Sequence, residues 1–401
     1  MANVVVTGMG AITPLGVGVE ALWRGVLDGR TGVRRLDGMF GLAGPALGAP
    51  VHEVPVDGVL PLAEIRHYDR FIHLALVAAQ EAVTASGVLE SADPEAVGVY
   101  IGCALGGIET LSADTIAHAG GARVGPRLLP KTIPNMAAAT IAEHWGLRGP
   151  NLTFSTACSA SNNAIGEAFL AVASGRVDVC IAGGAESLFA AVVMSGLDAA
   201  RALSRRYGDP LTASRPFSEG RDGMVMGEGA GILVLESEAH AARRNANVLG
   251  RVTGYGPSSD AHHPTQPHPE GRGAELAMRR ALASAGLDPK DIDYINAHGT
   301  STPIGDEVEC KAVQRVFGNR PPVSSQKGAI GHLLGAAGAA EAVITLCALA
   351  QGVVPPTVNY QGGGPEGFDF VPTPRPAQLK RALSNSFGFG GQNASVVLER
   401  A

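Results

Sequence analysis

The 401-residue chain is poor in aromatic residues, at 5%, and it has only five cysteines. Each scarcity removes a class of protein. Cys103, Cys158, Cys180, Cys310 and Cys347 are scattered without a C-x-x-C pair, which argues against a disulfide framework and against a cysteine-built metal site. No apolar run reaches the ~18 residues of a membrane span, and the opening Met1-Ala-Asn-Val-Val-Val-Thr passes straight into strand-like sequence without a charged leader. A cytoplasmic protein with no membrane contact is expected. Positive charge is not in surplus either: 31 basic against 37 acidic residues leave a net −6, which speaks against nucleic-acid binding. Gly8-Met-Gly10 lacks the third glycine in phase and the later acidic residue that a dinucleotide-binding fingerprint needs. What remains is 54 glycines and 45% hydrophobic residues, the make-up of a tightly packed α/β protein too long for one ordinary core.

The chain repeats itself. An amphipathic helix over Leu74–Leu89, ended by Gly87, precedes the apolar strand Val97–Cys103, and a helix over Glu275–Leu287 with a similar Ala-Ser-Ala-Gly ending precedes the strand Ile292–His298. The openings Val4–Gly8 and Arg251–Gly254 match, as do the closing strands Gly229–Glu236 and Asn393–Glu399. Between them, the helix ending at Ala173-Ser-Gly175 and the strand from Val177 to Gly183 find a counterpart in Ala339–Ala350 followed by Val353–Val358. Two copies of a strand–helix–strand unit are implied, with active groups at strand–helix junctions of both.

The first such junction is Asn151-Leu-Thr-Phe-Ser-Thr-Ala-Cys158-Ser-Ala-Ser-Asn162. Leu152–Thr156 reads as a buried strand, and the run Ile165, Ala168, Phe169, Val172 reads as the helix that follows. Cys158 then sits on a turn at a helix start, where unpaired N–H groups and the helix dipole should lower a thiol from its reference value near ~8.5. A drop of about two units would favour thiolate by roughly 2.7 kcal/mol. Taken alone, Cys158 reads more readily as one more small buried hydrophobe. Two stretches of the second copy weigh against that. Asn296-Ala-His-Gly-Thr-Ser-Thr302 ends a strand, and Ser324-Ser-Gln-Lys-Gly-Ala-Ile-Gly-His-Leu-Leu-Gly-Ala-Ala-Gly338 leads into a helix, so each delivers one histidine to a junction. A cysteine with His298, His332 and a nearby Lys327 suits acyl transfer through a thioester, followed by attack of a carbon nucleophile.

Thr156-Ala-Cys158, His298-Gly-Thr-Ser-Thr302, Lys327 with Gly331-His332-Leu-Leu-Gly-Ala-Ala-Gly338, and Asn385-Ser-Phe-Gly-Phe-Gly-Gly391 together resemble the β-ketoacyl-acyl-carrier-protein synthases. The resemblance runs from residue 3 to 399 and is nearest the elongating type II enzymes of fatty acid and polyketide assembly. It implies a thiolase-type α/β fold whose two duplicated halves, 1–245 with the nucleophile and 246–401 with both histidines, form a layered α-β-α-β-α core. It also implies that Cys158, His298 and His332 form a catalytic set, with Lys327 and Glu341 as a supporting ion pair. The N–H groups of Cys158 and Phe389 would hold the oxyanion, beside a mobile gate at Phe389 and Gly390. Thr300 and Thr302 would serve the pantetheine arm, Leu105 and Leu128 the acyl pocket, and Arg66 and Arg206 the docking of an acyl carrier protein.

No cofactor or metal of the protein's own is expected. The partner is either a second copy or a related chain-length-factor-like subunit. Thiolases need a second active cysteine near the C-terminus, where this chain has Phe387-Gly-Phe-Gly. Initiating synthases pair Cys with His and Asn, where this chain has His332. A non-condensing scaffold-like subunit would lack Cys158. Leu128 stands where bulky aromatics are frequent, so a roomier pocket for stiff chains of a polyene pathway is expected beside ordinary fatty acid elongation.

Overall fold

In the computed structural model, which describes residues 2–42, 44–318 and 321–401, the repeat becomes a strand order. The first set comprises β1 (Val4–Thr13), β2 (Val97–Gly102), β3 (Asn151–Phe154), β4 (Val179–Glu186) and β5 (Gly229–Ser237). The second comprises β6 (Gly250–Ser259), β7 (Tyr294–Asn296), β8 (Val323–Ser324), β9 (Arg381–Gly388) and β10 (Gln392–Glu399). Hydrogen bonding runs β8-β7-β9-β10-β6-β1-β5-β4-β2-β3, so the second five strands repeat the order of the first outward from a seam. Within each set three strands are parallel and the last two antiparallel. The seam itself is short, joining Val4–Val6 to Gly250–Val252.

Helices fill the layers in the same duplicated way: α1 (Arg70–Ser86), α2 (Met136–Trp145) and α3 (Ala160–Ala173), then α4 (Arg272–Ala285), α5 (Pro303–Phe317) and α6 (Ala337–Gln351). Outside the first half-sheet, α1 covers β1 and β5, while α4 covers β6 and β10 on the far side of the second. The central layer is α3 with α6, which touch strands of both half-sheets. Five layers result, α-β-α-β-α, as the resemblance implied.

Local chemistry accounts for several of these boundaries. Asp69 caps α1 by accepting from Phe71 N–H, and Gly87, at φ 59°, closes it in the left-handed region that favours glycine. The Gly8-Met-Gly10 pair lets α1 lie directly on β1. A Cβ on Gly8 would stand 2.2 Å from the Ala82 carbonyl oxygen, and one on Gly10 would stand 2.0 Å from that of Ala78. Gly254 and Gly256 do the same beneath α4, against Ala281 and Ala277.

Three expectations change. Val353–Val358 does not enter the main sheet: only Val353–Val354 pairs, with Arg375–Pro376, because Pro355 and Pro356 offer no N–H to a ladder. The counterpart of β4 is β9 instead. The strand β3, read as buried, lies at the sheet edge with Asn151 and Leu152 exposed, since β2 is its one neighbour in the sheet. The stretch Leu334–Gln351 is long and apolar enough to cross a membrane by length and composition, but 83% of it is buried, chiefly as α6 in the central layer.

Candidate active site

The turn that carries Cys158 is strained and pinned. Ala157 takes φ 50°, a left-handed value costly for a residue with a Cβ. Ser159 Oγ donates to the Thr156 carbonyl at 2.9 Å, and Asn163 on α3 donates to Thr156 Oγ1 at 2.6 Å. From the second half, the β9 end approaches so closely that a Cβ on Gly388 would lie 3.0 Å from Thr156 O and 3.1 Å from Cys158 N. The backbone N–H groups of Phe389 and of Cys158 itself are placed to favour charge on the sulfur. These are the two donors named from the resemblance.

The thiol differs from its expected state. Burial pushes Cys158 up to about 11, and the Phe389 N–H, the Lys327 charge and its own N–H only partly offset this. With 5% of the residue exposed, the water that would solvate a thiolate is gone. Helix-start geometry was legible in the sequence, whereas the depth at which it lies was not.

Both histidines arrive on loops of the second half. His298 follows β7, and the N–H groups of His298 and Gly299 donate to the two oxygens of Glu309 on α5, at 2.8 and 2.7 Å. His332 lies between the short helix Lys327–Ile330 and α6, its N–H donating to Val225 O at 2.7 Å in a loop of the first half. The two rings stand edge to face with centroids 5.3 Å apart. Ring nitrogens of both and the Cys158 sulfur lie within 4.8 Å of one another.

Burial, with the Lys327 charge as the second cause, holds both imidazoles well below their ordinary range, so both are neutral at pH 7. Among the described residues, neither ring nitrogen of His332 has a protein partner, nor has Nδ1 of His298. Lys327 Nζ donates to Glu341 Oε1 at 2.5 Å, with both side chains buried. Burial pushes the Glu341 carboxyl up to about 7 despite that ammonium.

A solvent-open cavity leads to this cluster, lined by Cys158, His298, His332 and Phe389 at its base, with Thr300 and Thr302 on its wall. Thr302 has a second task, since its hydroxyl accepts from Gly305 N–H and caps α5. Gly390, at φ 78°, turns the chain directly after Phe389, and its N–H donates to Pro264 O at 2.6 Å. Leu105, like Phe389 and Leu334, packs against the buried cluster of Leu36, Phe189 and Met226, but it is not among the cavity-lining residues. Leu128 is not brought to the cavity: it sits half-exposed on the five-residue helix Leu128–Thr132, in a segment that packs outside the sheet. Arg66 is exposed at the end of the helix Leu62–Ile65. Arg206 is half-buried and donates to Gly220 O at 2.7 Å, and neither arginine lines the cavity.

Among the buried carboxylates that escaped the sequence reading, three hold the loops of this site: Glu309, Asp306, which accepts from Ser301 and Phe217 N–H, and Glu186, which accepts from Gly335 N–H. A signal existed for two of them. Asp306 and Glu309 are three apart on one helix, directly after the Ser/Thr-rich loop they fasten.

The family model of the beta-ketoacyl synthase N-terminal domain matches residues 1–241, and that of the C-terminal domain matches 249–361. The chain belongs to the β-ketoacyl synthase family. Among curated relatives of this synthase, the 3-oxoacyl-[acyl-carrier-protein] synthase 2 of Synechocystis sp. is 42% identical, covering 99% of this chain and 98% of that protein. The protein of the same name from Staphylococcus aureus is 41% identical, with 99% and 98% covered. A crystal structure of a beta-ketoacyl synthase from Burkholderia phymatum superimposes with a TM-score of 0.93 at 34% identity and full coverage of both chains. The ishigamide ketosynthase/chain length factor structure gives 0.91 at 30% identity, covering 100% of this chain and 99% of that one.

Proposed function

We propose that this synthase lengthens a carrier-bound acyl chain by two carbons, taken from malonyl-acyl carrier protein, through a decarboxylative Claisen condensation. The observation that carries the reading is the cluster itself: one sulfur with two backbone N–H groups that favour its charge, facing two neutral imidazoles, three of whose four ring nitrogens lack a partner among the described residues. In the first half-reaction the Cys158 sulfur attacks the acyl thioester, the two N–H groups hold the oxyanion, and the carrier thiol leaves with the proton. In the second, malonyl thioester loses CO2 and the electron pair stays on the α-carbon as an enolate. Neutral imidazoles donate hydrogen bonds to that enolate oxygen, which imidazolium pairs at this depth could not do without a large desolvation cost. The carbanion attacks the acyl carbon, the C–S bond to Cys158 breaks, and the returning thiolate takes up one proton. As proposed, the chemistry draws on no cofactor or metal of the protein's own, and the enzyme works in the cytoplasm.

Test and partner follow from the same geometry. Intact mass after incubation with acyl-carrier should show one acyl group on wild type and none on Cys158→Ala. His298→Ala should still load but lose malonyl decarboxylation, and an unchanged decarboxylation rate would refute the division of roles. The exposed edge of β3, with Leu152 44% exposed, supports a dimer in which that edge pairs with another chain. We take the other chain to be a second copy, as full-length similarity near 40% to synthase 2 enzymes favours fatty acid elongation. Native mass of the purified chain at twice the monomer supports this. A monomer that condenses only with a Cys-less relative added would assign it to a ketosynthase/chain-length-factor pair.

A further inference from the structure

We infer that Glu186 is a positioning residue for the condensation: its carboxylate ties the backbone at Leu105 to the loop that carries His332, keeping the gate and the second imidazole in one register. The inference rests on the condensing-enzyme reading above and deepens it.

Glu186 is the last residue of β4 and is wholly buried. Its Oε2 accepts from Ala104 N–H at 2.8 Å and from Gly335 N–H at 3.1 Å. Its Oε1 accepts from Leu105 N–H at 3.1 Å and from the Cys103 thiol at 3.7 Å. The roughly four acceptor positions of a carboxylate are thereby filled by neutral donors, from loops of both halves. Burial pushes this carboxyl up to about 7 although its four donors favour the charge, and an acid buried without a cation is kept only at a cost, so the arrangement needs a reason other than stability.

The loop from His332 to Gly335 supplies one. Leu334 takes φ 46°, which a leucine holds only where its surroundings over-determine it. Gly335 cannot carry a side chain, because a Cβ would stand 2.5 Å from Glu186 Oε2 and 2.7 Å from Ala104 N. Leu105, Leu334 and Phe389 pack against one apolar cluster, and the Phe389 N–H favours charge on the Cys158 sulfur. Through one carboxylate, the loop after β2, the His332 loop and the oxyanion donor are set relative to each other.

Glutamine matches the shape but not the pattern, since its NH2 must face either the Ala104 and Gly335 N–H groups or the Leu105 N–H and the thiol. The test compares wild type, E186Q and E186D by thermal melting, by acyl loading of Cys158 from short and long acyl-carriers, and by steady-state condensation. For E186Q we expect a cooperative melt, a fall in kcat of about tenfold with KM for malonyl-carrier changed less than about threefold, and a flattened preference between short and long chains. E186D, with two acceptor oxygens again, should recover part of both. Wild-type kcat and chain preference in E186Q would overturn the inference, as would an equal loss at every chain length that E186D does not recover. Should E186Q not fold, E186D and its combination with Leu105→Ala carry the test: non-additive effects on chain preference support coupling, and additive ones overturn it. A wild-type protein that neither loads nor condenses would instead sink the functional reading before any variant is compared.

Discussion

Replacing Lys327 by Met isolates the electrostatics on which the site rests. The ammonium donates to Glu341 Oε1 at 2.5 Å, while Glu341 Oε2 has no partner, and neither side chain is more than 1% exposed. Stranding one charge of such a pair costs about 3–5 kcal/mol if the other stays ionised. Glu341 can escape by protonation, because burial has already moved its carboxyl from 4.5 to about 7, and losing the ammonium moves it further up. A carboxyl whose folded pKa lies above its unfolded value binds more protons when folded. Stability is then greatest below the unfolded value and is lost as pH rises through the folded one.

For wild type that window runs from 4.5 to about 7, and for Lys327→Met it extends above 7. The two proteins should therefore be close in stability near pH 6 and diverge above about pH 7, by up to ~1.4 kcal/mol per pH unit, toward the full cost of a stranded charge. Urea unfolding followed by circular dichroism at intervals from pH 6 to pH 9 reads this directly, and Lys327→Met with Glu341→Leu should remove the divergence. A penalty equal at pH 6 and pH 9 would refute the reasoning. Lys327 also helps hold both imidazoles neutral, so the acid limb of the condensation profile should move to higher pH in the single variant.

Alkylation of Cys158 by iodoacetamide should rise about tenfold per pH unit between pH 7 and 10, because burial pushes the thiol up to about 11. A plateau near pH 8.5 would show that the helix start and the N–H donors outweigh desolvation. The ring-proton NMR shifts of His298 and His332 should stay those of neutral imidazole down to pH 6, and a midpoint at the ordinary value near 6.5 would contradict their buried, Lys327-repelled setting. Gly166→Ala should lower the urea midpoint by the equivalent of ~1–3 kcal/mol. A Cβ there would meet the Tyr255 ring at 2.1 Å and push its hydroxyl off Asn163, so an unchanged midpoint would mean the central layer is looser than described.

The sequence made the duplication legible because its punctuation recurs: Gly-x-Gly under an outer helix, Gly at a helix end, a strand after it. It also made the Cys158, His298 and His332 junctions legible, since small residues crowd each of them. What it hid were quantities set by tertiary packing. Whether an apolar run such as Leu152–Thr156 is central or at an edge depends on its neighbours, and β3 has only β2 beside it in the sheet. Val353–Val358 has the composition of a strand, and its two prolines were the unused warning. The thiol of Cys158 was placed at a helix start correctly, yet its protonation follows from depth, which no local pattern encodes. Leu128 lies away from the cavity that holds Cys158, because the path of a long connecting segment is not written in its own residues.

The buried carboxylates explain how a site built on loops stays rigid. Ala157, Ser301 and Leu334 are non-glycine residues at φ 50°, 70° and 46°, and each lies within two residues of Cys158, of Thr300 and Thr302, or of His332. Such backbone reverts unless its surroundings oppose it. Opposite Ser301 stands Asp306, which accepts the Ser301 N–H; beside Leu334 stands Glu186, which accepts the next N–H at Gly335; and Glu309 holds His298 and Gly299. Each carboxylate accepts two or more backbone N–H groups, beside a side-chain partner (Arg221 for Asp306, Asn385 for Glu309, the Cys103 thiol for Glu186), so its main hold is on the position of the loop backbone. That hold explains why the acids were invisible as motifs beside Cys158 and the histidines. It also implies that their loss should misplace reacting groups before it unfolds the protein.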